Sequence, residues 1–448
     1  MVNTESIIAT HRFGLGPRPE ELEATGNNPR NWLLQQIISP SSAPRLSSSA
    51  EIYSLQLAVQ RERMTASENE PRVANQQLGA AQLRDIVART RFGMETEKPF
   101  LERIVRFWNN HFAISTNKVS TSGMGGPFEA EAIRPNVLGS FHELLEASTK
   151  HPAMLNYLDN SRSTGPNSQL GSRRDSGLNE NLAREILELH TLGVDGGYTQ
   201  AGVTNFAKII TGWTVPNAQV ANRLSVEPGK FAFIGAQHEP GTHKLLGKDY
   251  RENGVAQGEA VLKDLSKHPS TARHISTKLA KHFISDEPSE ESVAALESSF
   301  LQSNGDLPSL YKTLIDLPEA WKPETTKFRT PYEWLTAIFR ATQMSVNDRE
   351  LQVSISSFGQ VPWRPGSPAG WPDHAGAWDS PDALGKRIEW ANSFAQRATN
   401  VSSKDVANTL FGSQLTTSYQ TTYDAIRRAE SNQQALVMLL MAPPVLRR

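Results

Sequence analysis

Apolar residues along this chain return mostly at steps of three and four, the period of helices that bury one face. "PRNWLLQQII" (Pro29–Ile38) reads as a short amphipathic helix, and the stretch from Glu51 to about Val87 as a polar helical pair. In "EKPFLERIVRFWNNHFAIS" (Glu97–Ser115), Leu101, Ile104, Val105, Trp108 and Phe112 share one face, a strong amphipathic pattern. "GSFHELLEASTKHPAMLNYLDN" (Gly139–Asn160) gives one or two more helices, with Pro152 suited to a first turn. Thr199–Trp213 is helical again. Four or five helices follow between Gln257 and Gln343, where Ser270, just after Pro269, has the features of a cap. Three further helices close the chain.

Two stretches break this period. "KFAFIGAQHEPGTHKLLG", around Phe231, alternates apolar and polar residues on both sides of Pro240-Gly241 and predicts a small β-hairpin. "FGQVPWRPGSPAGWPDHAGAWDSPDALG" (358–385) has no helical period, yet it holds five prolines and three of the nine tryptophans. Irregular loops rarely carry tryptophan without a binding or packing reason. The fold expected is mainly α, a multi-helical bundle or array with one small β-hairpin insertion. Three regions follow: an N-terminal helical lobe (1–160), a polar loop with a helix and the hairpin (161–256), and a C-terminal helical lobe with the tryptophan loop (257–448), packed as one unit.

Composition narrows the functions. At 448 residues, 38% hydrophobic and 21% charged, the chain has an ordinary globular make-up. Lys and Arg (46) balance Asp and Glu (47), without the basic excess of a nucleic-acid binder. There is no cysteine, which excludes disulfides, thiolate metal sites and a cysteine nucleophile. The first residues lack a signal-like apolar core, and "ALVMLLMAPPVL" is too short to span a bilayer. The expectation is a chain without membrane insertion, cytoplasmic as written, or periplasmic or exported if a leader has been removed.

The richest stretch chemically is "LNENLAREILELHTLG" (Leu178–Gly193). Asn179 is placed as a cap, and Glu180, Arg184 and Glu188 recur every four residues as ordinary ion-pair partners. Glu185 falls at a margin of the apolar arc formed by Leu178, Leu182, Ile186, Leu189 and Leu192. A carboxylate held partly dry is raised toward neutral pKa, the condition for acid or base work; the bland alternative is a pairing with Arg106, Arg173 or Arg174. His190 lies about 140° around the helix from Glu185, too far to share a ligand, and fits a satisfied core histidine as well as a site residue. In "WNNHF", Asn109 and His111 leave the helix on its less apolar side, where they suit a hydroxyl-rich substrate or a C-terminal cap network. Arg12 in "HRFGLGP" could clamp an anion or pack along helices. Zinc has weak candidates in His142 with Glu146 and in His238 with His243, but there is no HExxH, and neither metal nor cofactor is assigned. No G-x-S-x-G is present.

The ordered set "HRFGLGP", "FWNNHFAIS", "HPAMLNYLDN", "NENLAREILELHTLG", "GGYTQ", "TGW", "HEPGTHKLLG" and "GQVPW…GWP" closely resembles the large bacterial family called domain of unknown function 1800, from His11 to the final helix. The resemblance implies a mostly helical fold. It also implies frequent export, and a genomic neighbourhood with proteins that resemble alkaline phosphatases and sulfatases. Two positions depart from the family's habit: Gly202 stands where an aspartate is usual, and Glu239 follows His238 where an aspartate is usual.

Together these readings lead to one expectation: an enzyme acting on a polyhydroxylated substrate, a glycan, by carboxylate acid–base hydrolysis or elimination. Glu185 would be the acid or base and Glu188 or Asp159 its partner, at the separation of about 5–10 Å that glycoside chemistry uses. Arg12, Asn109, His111, Asn181, Arg184, His190, Trp213, His238 and Trp371 would hold the substrate. The rival is a non-catalytic binding partner of a phosphatase- or sulfatase-like enzyme, and a metal-dependent hydrolase is third.

Overall fold

Proline and short polar side chains set where most of these helices begin. Pro99, Pro152, Pro269 and Pro331 each occupy a first turn, where the missing N–H costs nothing. Thr330 and Glu333 form a reciprocal capping box at the start of the Pro331–Thr342 helix. The computed structural model describes residues 3–38, 42–65, 72–173, 177–324 and 327–448. It is mainly α. The polar pair expected after Glu51 is Ser49–Thr65 packed on Val73–Glu95. Among the described residues, no helix is long and apolar enough to cross a membrane.

Two small antiparallel sheets interrupt the helices. β1 (Trp213–Thr214) pairs with β2 (Ala232–Phe233), and β3 (His243–Leu245) with β4 (Lys248–Tyr250). The hairpin is therefore present but displaced. It turns at Leu246-Gly247, both with positive φ, and not at Pro240-Gly241; the alternation before Pro240 reflects pairing with Trp213. His243 lies on β3, whereas His238 lies outside the hairpin, after a single tight turn at Gly235–Gln237.

The first apolar core draws on residues from Ile8 to Trp321, so the divisions expected at 160 and 256 both fall within the stretch that supplies it. The second joins Ile86, Val87 and Met94 to residues between Tyr332 and Val445. The Val73–Glu95 and Pro331–Thr342 helices pack together across the second core. The "HRFGLGP" segment is wedged against the latter: Gly16 has φ +92°, and a Cβ there would lie 2.7 Å from that of Ala337.

Candidate active site

A recess of about 360 Å³ opens beside the C-terminal half of the Pro99–His111 helix. Its other walls come from the Pro269–Phe283 helix, the start of the Pro331–Thr342 helix, and the tryptophan loop. The volume is at the small end of ligand pockets, roughly 300–1,000 Å³.

The Pro99–His111 helix keeps its expected apolar face, but the opposite face is not in water. Glu102, Arg103, Asn109 and His111 are buried as well. Glu102 receives both terminal nitrogens of Arg134 at 2.8 and 3.0 Å, Arg103 binds Glu333 at 2.6 Å, and Arg89 binds Glu129 at 2.5 Å. Buried charges are tolerated only when paired in this way. The helix ends at Phe112, whose backbone is no longer helical, and this delivers Asn109, Asn110 and His111 to the recess.

On the Pro269–Phe283 helix, Ala272, Ile275, Leu279 and Phe283 face the core, and Lys278 and His282, one turn apart, line the recess. The cap of this helix is His268, whose side chain accepts from the Ser270 N–H, because Pro269 already fills the first turn; Ser270 is not the cap.

The tryptophan loop is anchored at several points. Asn110 Oδ1 accepts from the Trp371 N–H at 2.8 Å, and its Nδ2 donates to the Trp371 carbonyl at 2.9 Å. Gly370 meets this helix end so closely, with φ +83°, that a Cβ would lie 2.4 Å from the Asn110 carbonyl oxygen. Thr116 binds the Trp363 carbonyl through its N–H and hydroxyl, and Asp286 accepts from the Ala375 N–H. Trp363 and Trp378 are buried; Trp371 is half-buried and lines the recess.

This docking brings Asp373 against His282. Asp373 Oδ2 lies 2.6 Å from His282 Nδ1, and its other oxygen lies 3.1 Å from the Lys327 ammonium. A carboxylate only accepts, so Nδ1 carries the hydrogen and Nε2 keeps its lone pair. That Nε2 is buried and has no hydrogen-bond partner among the described residues. Burial lowers the His282 pKa and Asp373 opposes the change, leaving the ring neutral at physiological pH. Burial would raise the Asp373 carboxyl, but His282, Lys327 and Arg448 hold it down to about 2. A neutral imidazole oriented by an ionised carboxylate has the chemistry to act as a general base.

His111 is fixed by a similar device. Its Nε2 donates to the His190 carbonyl at 3.1 Å, leaving Nδ1 without a hydrogen-bond partner among the described residues. Burial, then Lys278 and the neighbouring His190 and His274, hold it well below its ordinary pKa.

The residues proposed from sequence divide sharply. Asn109, His111 and Trp371 line the recess, and His190 stands directly behind His111, with ring centres 6.1 Å apart. Glu185, Glu188, Asp159, Asn181, Arg184, Arg12, Trp213 and His238 do not line it. Asp159 pairs with Lys118 at 2.6 Å, and Arg12 donates to the carbonyls of Ala320 and Glu324. Trp213 is a fully buried core residue, and His238 donates to the Thr211 carbonyl. Asn181 is exposed. Glu185 is raised by burial and by Glu188, as its place at the apolar margin predicted, yet it does not line this recess. It forms no ion pair with Arg106, which stands 3.6 Å from Glu102, or with Arg173; Arg174 lies outside the described residues.

The helix that carries Glu185 also departs from regularity. Regular α geometry runs only over Asn181–Glu185, capped at Glu180; the Asn179 side chain accepts one step later, from the Asn181 N–H. Ile186–His190 then widens into a π turn, with Leu192 N–H reaching back to the Leu187 carbonyl. Arg184 keeps Glu180 as partner at 3.2 Å, but Glu188 turns to the Tyr198 hydroxyl. Gly202 sits in the first turn of the helix capped by Thr199, and Glu239 clamps the backbone and side chain of Asn167 at 2.8 and 2.6 Å.

Among the described residues, no group of three or more His, Asp or Glu side chains is placed to hold a metal. His142 and Glu146 instead form a pair 3.5 Å apart, joined by Lys150.

A family model described as protein of unknown function (DUF1800) matches residues 8–446. The chain belongs to that family. No curated protein and no solved structure is similar enough to match. The recess of this DUF1800 protein draws on "FWNNHF" and "GQVPW…GWPDH", while His282 and Lys278 come from "STKLAKHF", where the sequence pattern predicts only a helix. The available signal was two ionisable residues four apart beside an apolar stripe, a pattern shared with any amphipathic helix.

Proposed function

We propose that the protein is an enzyme that acts on a polyhydroxylated substrate, a glycan unit, by acid–base hydrolysis or elimination in this recess, with His282 as the base. The observation that carries the reading is the His282–Asp373 pair, in which His282 lines a ligand-sized cavity and its buried Nε2 has no hydrogen-bond partner among the described residues. Asp373 fixes the tautomer and stabilises the imidazolium that forms when His282 takes a proton. Asn109 and His111 offer an amide donor and an imidazole lone pair to substrate hydroxyls. The half-buried Trp371 offers an apolar face to a sugar ring. Glu185 and Glu188 have no part in this chemistry. Trp363 and Trp378 are buried instead of forming a flat aromatic patch, which supports catalysis over a docking role for a phosphatase- or sulfatase-like partner.

The test is turnover of a broad glycan panel, followed through new reducing or unsaturated ends, with three variants. His282→Gln and Asp373→Asn should each lower the rate by about 100-fold or more, the range that a positioned acid–base group supplies. Glu185→Gln should leave it unchanged. Loss of turnover in Glu185→Gln with His282→Gln intact would overturn the assignment.

A further inference from the structure

Resting on that acid–base reading, we infer that the substrate unit is anionic: a sugar acid whose carboxylate is held by Lys278 and Asn109, and which is cleaved by elimination. The first support is an ammonium without a direct partner: burial lowers the Lys278 pKa to about 8, and Asp373, which opposes this from a distance, is already engaged by His282 and Lys327. Arg103, Arg89 and Arg106 have Glu333, Glu129 and Glu102 at 2.6, 2.5 and 3.6 Å. Lys278, in the same wall, makes no hydrogen bond or ion pair with any described residue. A recessed ammonium without a partner is costly, and an anionic ligand would supply one.

The second support is the polarity of the unused groups. Apart from imidazole nitrogens, the buried side-chain atoms of the lining residues that have no partner among the described residues are all donors: Arg103 Nε, Arg106 Nη2, Asn109 Nδ2, and the indole nitrogens of Trp363 and Trp371. The lining carboxylates Asp286, Glu333 and Asp373 are each engaged by a cation. A cavity with surplus donors and spent acceptors selects a ligand rich in acceptors.

The third is chemical. A carboxylate neutralised by an ammonium and an amide acidifies the C–H on its α carbon. His282 Nε2 takes that proton, and the electron pair forms a C=C bond as the C–O bond at the β carbon breaks. The leaving oxygen takes the proton back from His282, which returns to its neutral form. Nothing is oxidised, and no water is consumed.

Glucuronate and glucose share a ring and differ by a carboxylate against a CH₂OH, so their binding to the whole protein is the direct test, by titration and saturation-transfer NMR. Glucuronate should bind at least about tenfold tighter, equivalent to about 1.4 kcal/mol. The preference should vanish in Lys278→Met and survive in Lys278→Arg. Equal binding of the two sugars would overturn the inference while leaving the acid–base reading standing. Binding of acetate or lactate through Lys278, with neither sugar bound, would support the anion site and overturn the glycan reading. Binding of none of these would overturn both.

Discussion

Arg340 offers the sharpest test of how the walls of the recess are held. It is fully buried on the Pro331–Thr342 helix. Nε donates to the Gly16 carbonyl at 2.7 Å, and Nη1 to the carbonyls of Gly93, Met94 and Thr96 at 2.9, 3.2 and 3.2 Å. Nη2 meets both oxygens of Glu21 at 2.9 and 2.8 Å. One guanidinium thus caps the end of the Val73–Glu95 helix and fastens both the "HRFGLGP" segment and the acidic residue that follows it. Arg340→Met keeps the apolar stem but strands a carboxylate that is only 6% exposed. Breaking a buried pair from one side costs about 3–5 kcal/mol. Arg18 lies 3.5 Å from Glu21 and offsets part of this, which places the expected loss near the lower end, about 3 kcal/mol. The measurement is urea unfolding, followed by tryptophan fluorescence and far-UV circular dichroism so that coincident transitions can be checked. Adding Glu21→Gln removes the stranded charge, so the double variant should be more stable than the sum of the single losses by about 1–3 kcal/mol. A loss below about 1 kcal/mol for Arg340→Met, or strict additivity, would refute the reasoning.

Stability should fall steeply on mild acidification. Burial first, with Arg329 assisting at His11 and Lys278 at His190, pushes both imidazoles down to about 3, and His111 is also held well below its ordinary value. The unfolded chain binds protons on these rings below about pH 6.5 while the folded chain does not, so stability is complete above that pH and is lost as pH falls toward 3. At pH 5 the loss is about 2 kcal/mol each for His11 and His190; equal urea midpoints at pH 7.5 and 5.0 would contradict it. Gly370→Ala should push the tryptophan loop off Asn110, changing the near-UV dichroism of the indoles and exposing the loop to proteases, with little change in far-UV signal. Glu239→Gln should leave one of the two Asn167 donors unmatched and speed tryptic cleavage after Arg162; an unchanged rate would argue against the clamp.

The mainly α fold was legible because helical periodicity is a local property, readable within a dozen residues. The Pro99–His111 and Pro269–Phe283 helices lie where their apolar stripes and prolines put them. What periodicity cannot report is the environment of the polar side. Glu102 and Arg103 look like solvent-facing residues, and are buried because partners such as Arg134 and Glu333 reach them from 32 and 230 positions away. The site escapes for the same reason. His282 and Asp373 are 91 residues apart, and Asn110 and Trp371 are 261 apart. Glu185 drew attention because its raised pKa follows from its own helix; whether a cavity lies beside it depends on other segments. The π turn after Glu185 left no mark in the residue pattern.

One consequence follows from the double hydrogen bond between Asn110 and Trp371. Trp371 and Asp373, the partner of His282, ride on one strip of backbone, two positions apart, while His282 belongs to a different helix. Detaching that strip would remove the Trp371 ring from the recess and release His282 from its fixed tautomer in a single event. Affinity and proton transfer would then switch on and off together, so the population of the attached strip would set the fraction of competent molecules, and weak binding with full chemical rate would be a combination this architecture does not permit.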